Sequence, residues 1–172
     1  VRIKARNSAW NPEVPFHPSY YFDHHEIQGK RMNPHRGWEI YPKIMYDMAM
    51  RIKNEYGNIE WIISENGMGV EGEDKYKNEE GIIQDDYRID FISEHMAWLL
   101  KAVDEGSNCR GYMLWAFTDC VSPANAFKNR YGLVEINLED SRNRKLKKSG
   151  KWFRELSGNN YYYFRDLKPV YK

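Results

Sequence analysis

Glu65 is the residue on which a chemical reading of this sequence turns. It follows the apolar run Trp61-Ile62-Ile63 and Ser64, and Asn66-Gly67-Met68-Gly69 comes at once after it. A β-branched and aromatic run closed by two glycines predicts a short strand that the chain leaves abruptly. Glu65 then stands at the strand's C-terminal end, the end from which catalytic side chains project in an α/β barrel. A second chemical cluster lies downstream, where Leu114-Trp115-Ala116-Phe117-Thr118-Asp119 runs into Cys120-Val121-Ser122, and Lys128-Asn129-Arg130-Tyr131 follows. Trp115 offers a flat face and an indole N–H, either for packing or for a ligand.

Other candidates carry less. His24 and His25 are adjacent and point in different directions, and no third ligand is spaced to complete a metal site. Cys109 and Cys120 flank a strand that carries them apart, so two reduced thiols are expected, with no metal and no cofactor. The run Arg142, Arg144, Lys145, Lys147 and Lys148 is offset by Glu135, Glu139 and Asp140 and reads as the solvated approach to a helix rather than a nucleic-acid surface. A net charge of +1 gives no general argument for nucleic acid or membrane as partner, and no run approaches the roughly 18 apolar residues of a membrane span.

These residues need elements to position them. Residues 1–37, with Pro12, Pro15, Pro18 and Pro34, read as a long irregular loop. Pro42 suits a first helical turn, and Ile44, Met48 and Ile52 with Met45 and Ala49 recur at helical spacing, predicting a helix over 42–56 that Gly57 ends. The strand ending in Glu65 follows, then an acidic, solvated loop over 70–84. Asp85 or Asp86 caps a second helix whose stripe is Ile89, Ile92, Met96, Leu99, Leu100 and Val103, with Gly106 as its C-terminal αL residue. Arg88 and His95 fall on its flanks, in salt-bridged or surface roles. Residues 111–117 are continuously apolar and read as a strand buried on both faces. A hairpin near 131–138 and a helix over 149–156, with Trp152, Phe153 and Leu156 inward, complete the order. Strand, helix and strand in succession imply a parallel pair, hence an α/β fold. With 172 residues the chain is one unit without a second domain. Val1-Arg2-Ile3-Lys4 has neither an initiator Met nor a signal pattern and reads like the middle of a longer chain. The absent signal and the free cysteines point to the cytoplasm.

Ile63-Ser64-Glu65-Asn66-Gly67 resembles the nucleophile motif I/V-T/S-E-N-G of glycoside hydrolase family 1, the β-glucosidases and 6-phospho-β-glucosidases. The resemblance runs in order along the chain. Gly37-Trp38-Glu39-Ile40-Tyr41-Pro42 is similar to the family's G-W-x-I-x-P. Leu114 to Asp119 is similar to its L-W-S-x-x-D, and Lys147-Lys148-Ser149-Gly150-Lys151-Trp152-Phe153 to its K-K-S-x-K-W-Y/F. It implies the C-terminal third of a (β/α)8 TIM barrel, from the loop after the sixth strand to the last helix, with about two parallel strands, three helices and a small hairpin. Two strands cannot close a barrel of eight, so the implied partner is the N-terminal part of the barrel, or a second copy of the chain.

The same resemblance assigns roles. Family members hydrolyse β-glycosides with retention through two carboxyl groups about 5–5.5 Å apart. Glu65 corresponds to the nucleophile, while the acid/base Glu belongs to a T-x-N-E-P motif that does not occur in this sequence. The chain alone is therefore expected to be inactive. Trp115 corresponds to the floor of the glycone subsite, and Trp38 borders the leaving-group side or serves as a helix-entry staple. Ser64 and Asn66 are candidates for holding the Glu65 region, and a turn role for Asn66 is equally economical. Members acting on unphosphorylated glucosides carry a Glu-Trp pair where this chain has Cys120-Val121-Ser122. Losing that carboxylate and that bulk suits a dianionic 6-phosphate. The family's phosphate pattern is Ser, then Lys seven residues on, then Tyr two beyond. Here it reads Ser122, Asn129, Tyr131, with Lys128 and Arg130 flanking the Lys position as the candidate cations. The implied substrate is a small phospho-β-glucoside. A plain β-glucosidase, a 6-phospho-β-galactosidase or a non-catalytic self-associating module are the alternatives.

Overall fold

The computed structural model describes residues 3–5, 13, 21–24 and 28–159. In chain order these form β1 (Ile3–Ala5), β2 (Phe22–His24), β3 (Met32–Asn33), β4 (Trp38–Glu39), α1 (Ile44–Glu55), β5 (Trp61–Asn66) and β6 (Val70–Glu71). A 3₁₀ turn (Glu73–Tyr76), α2 (Asp86–Asp104), β7 (Cys109–Leu114), β8 (Asn129–Arg130), β9 (Val134–Ile136), β10 (Arg144–Leu146) and α3 (Lys148–Asn159) follow.

The centre is the parallel pair β5 and β7, paired from Trp61↔Cys109 to Asn66↔Leu114 with register shifts between Trp61 and Ile62 and between Ile63 and Asn66. Helix α2 connects them, as the strand–helix–strand order requires. It ends on Gly106 at φ +93°, where Gly106 N–H donates to the Val103 carbonyl and Ser107 N–H to that of Ala102, the paired closure that an αL glycine permits. Ser107 then turns the chain into β7, its hydroxyl donating to the Ala49 carbonyl and accepting from Trp61 Nε1. Helices α1 and α2 pack together, with Tyr46 and Trp98 edge to face at 5.9 Å. Behind the strand ends, Met68, Val70, Phe91, Ile92 and Leu133 form the buried core, and Trp152 and Phe153 of α3 close over it.

Several expectations change. The segment 1–37 is not wholly irregular, because β1 pairs antiparallel with β2 and β3 with β4. Ladders of two or three residues are too short to show alternation in sequence. Pro12, Pro15, Pro18 and His25 lie outside the described residues, while His24 falls in β2. In α1, Met45 and Ala49 face α2 and are buried, whereas Ile44 and Met48 stand on the adjacent, exposed row. Leu100 of α2 is exposed as well. Strand β7 is not buried on both faces. Met113, Trp115 and Phe117 are exposed, since among the described residues β5 and β7 are the whole of this sheet and one of its faces is open. Residues 131–138 are only the first arm of a hairpin, for β9 pairs with β10 across a turn at 137–143. The acidic loop 70–84 is tied down by β6 and the 3₁₀ turn, with Glu73 buried. Asp85 does precede α2, but its carboxylate makes no capping bond to that helix. Arg88, His95 and Lys147 are all buried rather than on the surface, and Arg88 takes the salt-bridged one of its two expected roles, with Glu73 and Asp85.

Candidate active site

Two strand ends meet where the sequence concentrates its chemistry. Asn66 pairs with Leu114, and the Trp115 N–H donates to the Asn66 carbonyl at 2.9 Å, so Trp115 is bonded to the residue next to Glu65. The Tyr112 hydroxyl donates to Asn66 Oδ1 at 2.6 Å, which gives that side chain a holding role at the end of β5. Burial keeps the Tyr112 phenol well above its usual range, so it stays a donor.

Gly67 and Gly69 do more than break a strand. A Cβ on Gly67 would stand 1.7 Å from the Trp115 carbonyl oxygen, and one on Gly69 would stand 2.6 Å from Cζ of Tyr131. Both distances are far below van der Waals contact. The missing side chains are what allow the exit of β5 to lie against the 115–131 loop.

The result is a cleft of about 390 Å³, within the 300–1,000 Å³ typical of small-molecule sites. Glu65, Trp38, Trp115, Ser122 and Tyr131 all line it, so five of the sequence candidates converge. Trp115 is 42% exposed and Trp38 48%, leaving both rings available as plates. Cys120 also lines the cleft, but burial and neighbouring Asp119 push its thiol up and keep it protonated. Both cysteines are free.

Lys128 and Arg130 are not in this cleft. They line a separate polar one, with Lys128 Nζ 3.4 Å from Glu71 and Arg130 Nη1 3.9 Å from Asp119. The cause is β8. Its pairing with β6 fixes Arg130 opposite Val70, and the guanidinium turns to Asp119 and the Ile136 carbonyl. Asn129, at the family's Lys position, is buried and accepts from Asn125 Nδ2.

Arg36, which sequence reasoning missed, lines the cleft instead. It sits in the β3–β4 turn, with its guanidinium 4.5 Å from the centre of the Trp38 ring. Its neighbours are prolines and scattered aromatics without period, and only the adjoining Gly37-Trp38 motif could have drawn attention to it.

A buried ionic network holds these loops from behind. All five N–H groups of Arg88 are engaged. Nε donates to Asp85, Nη1 to the carbonyls of Met68 and Tyr131, and Nη2 to Glu73 and the Arg130 carbonyl. Burial opposes the Arg88 charge, but Glu73, Tyr87 and Asp85 outweigh it and hold the guanidinium above its ordinary value. Lys147 donates to Glu73 at 2.5 Å and to Asp119 at 2.9 Å, and Asp119 accepts from the Gly132 N–H. Asp85 accepts from the Ser149 N–H and hydroxyl, tying α3 to α2. Three buried carboxylates thus face two buried cations, with the half-buried Arg130 beside Asp119 at the edge of the network. The basic run is in part an internal strut rather than a solvated tract.

Among the described residues no cluster of His, Cys, Asp and Glu could hold a metal ion, and no helix is long and apolar enough to cross a membrane.

Comparison with known proteins fits this geometry. The chain is 57% identical over 156 residues to the 6-phospho-beta-glucosidase GmuD of Bacillus subtilis (strain 168), a match covering 91% of this chain and 34% of that protein. It is 44% identical over 121 residues to a 6-phospho-beta-galactosidase of Clostridium acetobutylicum, covering 70% of this chain and 24% of the relative. The chain therefore spans about a third or less of the length of the curated relatives it matches. Among solved structures, the family 1 beta-glucosidase of Thermotoga maritima superposes with a TM-score of 0.74 at 29% identity, over 85% of this chain and 31% of that one. The parallel pair and its helices are accordingly part of a (β/α)8 barrel, its C-terminal third. The family model described as Glycosyl hydrolase family 1 matches residues 13–162, and the chain belongs to that family.

Proposed function

We propose that these residues form the nucleophile half of a retaining glycosidase that cleaves 6-phospho-β-D-glucosides, with Glu65 as the nucleophile. The observation that carries the proposal is the convergence of Glu65, Trp115, Ser122 and Tyr131 on one cleft at the C-terminal ends of two parallel strands. Identity of 57% to a protein named 6-phospho-beta-glucosidase supports the substrate class. Glu65 attacks the anomeric carbon, and a second carboxyl about 5–5.5 Å away protonates the departing oxygen and then activates water. No T-x-N-E-P string occurs in these 172 residues, so they are inactive alone and form a single unit that works with the rest of a barrel. The open face bearing Ile62, Met113 and Phe117 supports that association, since exposed apolar strand faces seek cover.

Trp115 serves as the plate under the glycone, and Trp38 borders the aglycone. The Ser122 and Tyr131 hydroxyls donate to the 6-phosphate, in a loop freed of the Glu-Trp pair that serves a neutral sugar. The reaction needs neither metal nor cofactor. A sugar phosphate is a dianion that does not cross a bilayer unaided, so the enzyme works where the sugar is phosphorylated, in the cytoplasm.

The test is kcat/KM on an aryl β-glucoside with and without the 6-phosphate. It uses the full-length polypeptide, or a chimera in which this chain replaces the matching segment of the Bacillus subtilis relative. A preference of several hundredfold for the phosphorylated substrate, ~3–4 kcal/mol of transition-state discrimination, is expected. No preference, or the reverse, overturns the substrate assignment.

A further inference from the structure

The phosphate reading needs a cation, and the two that the sequence offered are committed elsewhere. Lys128 faces Glu71, and Arg130 turns to Asp119 behind the loop. We propose that Arg36 supplies the positive charge that receives the 6-phosphate, with Ser122 and Tyr131 as the accompanying hydroxyl donors. This rests on the 6-phospho reading and goes beyond it by naming a residue outside the family's Ser, Lys, Tyr pattern.

Placement is the first support. Arg36 is a cationic residue of the same cleft as Ser122, Tyr131 and Glu65. The turn that bears it is anchored to that cleft. Asn33 accepts the N–H groups of Arg36 and Gly37 on its carbonyl, and its buried side-chain amide donates to the Gly69 carbonyl at 2.9 Å. Gly69 in turn lies directly against the Tyr131 ring. Arg36 is thus held in register with Tyr131 through two short links.

Unspent hydrogen-bonding capacity is the second support. Among the described residues Arg36 makes no ion pair and no side-chain hydrogen bond, and its Nε is buried without a partner. Its guanidinium instead lies over the Trp38 ring, a contact that orients the fork while leaving its N–H groups free. Among the described residues the Ser122 hydroxyl only accepts, from the Ala124 N–H, so its proton is available. Tyr131 is buried, and its hydroxyl has no hydrogen-bond partner among the described residues. Three donors with unfilled capacity and a planar fork match the several acceptor oxygens of a phosphate, which Arg binds bidentately.

The experiment measures kcat/KM for wild type, Arg36→Ala, Arg36→Lys and Lys128→Ala. It uses the full-length polypeptide or the chimera, on the phosphorylated and unphosphorylated aryl β-glucoside, with inorganic phosphate as a competing ligand. Arg36→Ala is expected to lower the phosphorylated-to-unphosphorylated ratio about a hundredfold and to weaken inhibition by phosphate. Arg36→Lys, which keeps the charge and loses the fork, should lower the ratio about tenfold. Equal losses on both substrates would overturn the proposal and make Arg36 a residue that positions Glu65 or the turn. An unchanged ratio in Arg36→Ala, or a collapse in Lys128→Ala, would overturn it as well. A wild-type ratio near one would instead overturn the 6-phospho reading itself, so the two failures are separable.

Discussion

Arg88→Lys keeps the charge of the buried network and removes its geometry. Arg88 is 1% exposed and satisfies five acceptors: the carboxylates of Asp85 and Glu73 and the carbonyls of Met68, Arg130 and Tyr131. A lysine ammonium has three N–H donors. Three donors for five acceptors leave two unpaired, and the carboxylates attract the ammonium most strongly, so two of the three carbonyls lose this donor. A buried acceptor left unsatisfied costs about 1–3 kcal/mol. The substitution should therefore destabilise by about 2–6 kcal/mol, a large share of the 5–15 kcal/mol that a domain possesses. It should also cost activity, because the Met68 and Tyr131 carbonyls belong to the two loops that frame Glu65. The assay is the urea midpoint at neutral pH, with the m-value checked for constancy, beside kcat/KM. Arg51→Ala is the control, since the exposed Arg51–Glu55 pair should contribute less than about 0.5 kcal/mol. A midpoint for Arg88→Lys as close to wild type as that of the control would refute the reasoning that the fork, rather than the charge, holds the loops.

Two further outcomes follow from the structure. Gly67→Ala places a Cβ 1.7 Å from a backbone oxygen that cannot yield by a side-chain rotation, so about 1–3 kcal/mol or more of stability and most of the turnover should be lost; wild-type values in both would contradict the close-approach argument. His95 is buried beside Phe91, and its Nδ1 lies 2.7 Å from the Phe91 carbonyl, which can only accept, so the neutral ring carries its proton there. Burial drives its pKa down from 6.5 to about 4, against the opposing pull of that bond and of Glu94 and with Arg31 adding to the fall. A folded pKa below the unfolded one means that the unfolded chain binds the proton first as pH drops. Stability from this group is complete above 6.5 and is lost between 6.5 and 4, by about 3 kcal/mol in all. His95→Gln should flatten that part of the pH profile of the urea midpoint, and an equally steep loss in the variant would assign it to other groups.

The sequence carried the elements with long, regular signals. Helices α1, α2 and α3 and the parallel pair β5 and β7 stand where periodicity and glycine caps put them, within a few residues. Burial was read less well, for a physical reason. A helical stripe says that one face is apolar, and tertiary contact decides which row of it is covered, as Met45 and Ala49 against exposed Ile44 and Met48 show. Charged residues misled most. Arg88 and Lys147 look like any surface cation in a sequence, and only their convergence on Glu73, Asp85 and Asp119 from distant segments makes them internal. At the site, the strand-end motif placed Glu65, and the following strand placed Trp115. Lys128 and Arg130 flank the expected Lys position on an extended segment, where one residue of register decides the side. The β6–β8 pairing turned them away. Arg36 escaped because it lies in a turn between two-residue strands, where neither period nor composition gives a signal.

Trapping the covalent intermediate tests the central claim most directly. A 6-phospho-β-glucoside fluorinated at C2 and bearing a good leaving group slows the release of the glycosyl-enzyme, so the adduct can be located by peptide mass spectrometry on the full-length polypeptide or the chimera. The account predicts one 2-fluoro-6-phosphoglucosyl group on the peptide that contains Ile63-Ser64-Glu65-Asn66-Gly67, and none in Glu65→Gln. An adduct on another carboxylate, or wild-type turnover by Glu65→Gln, would contradict it.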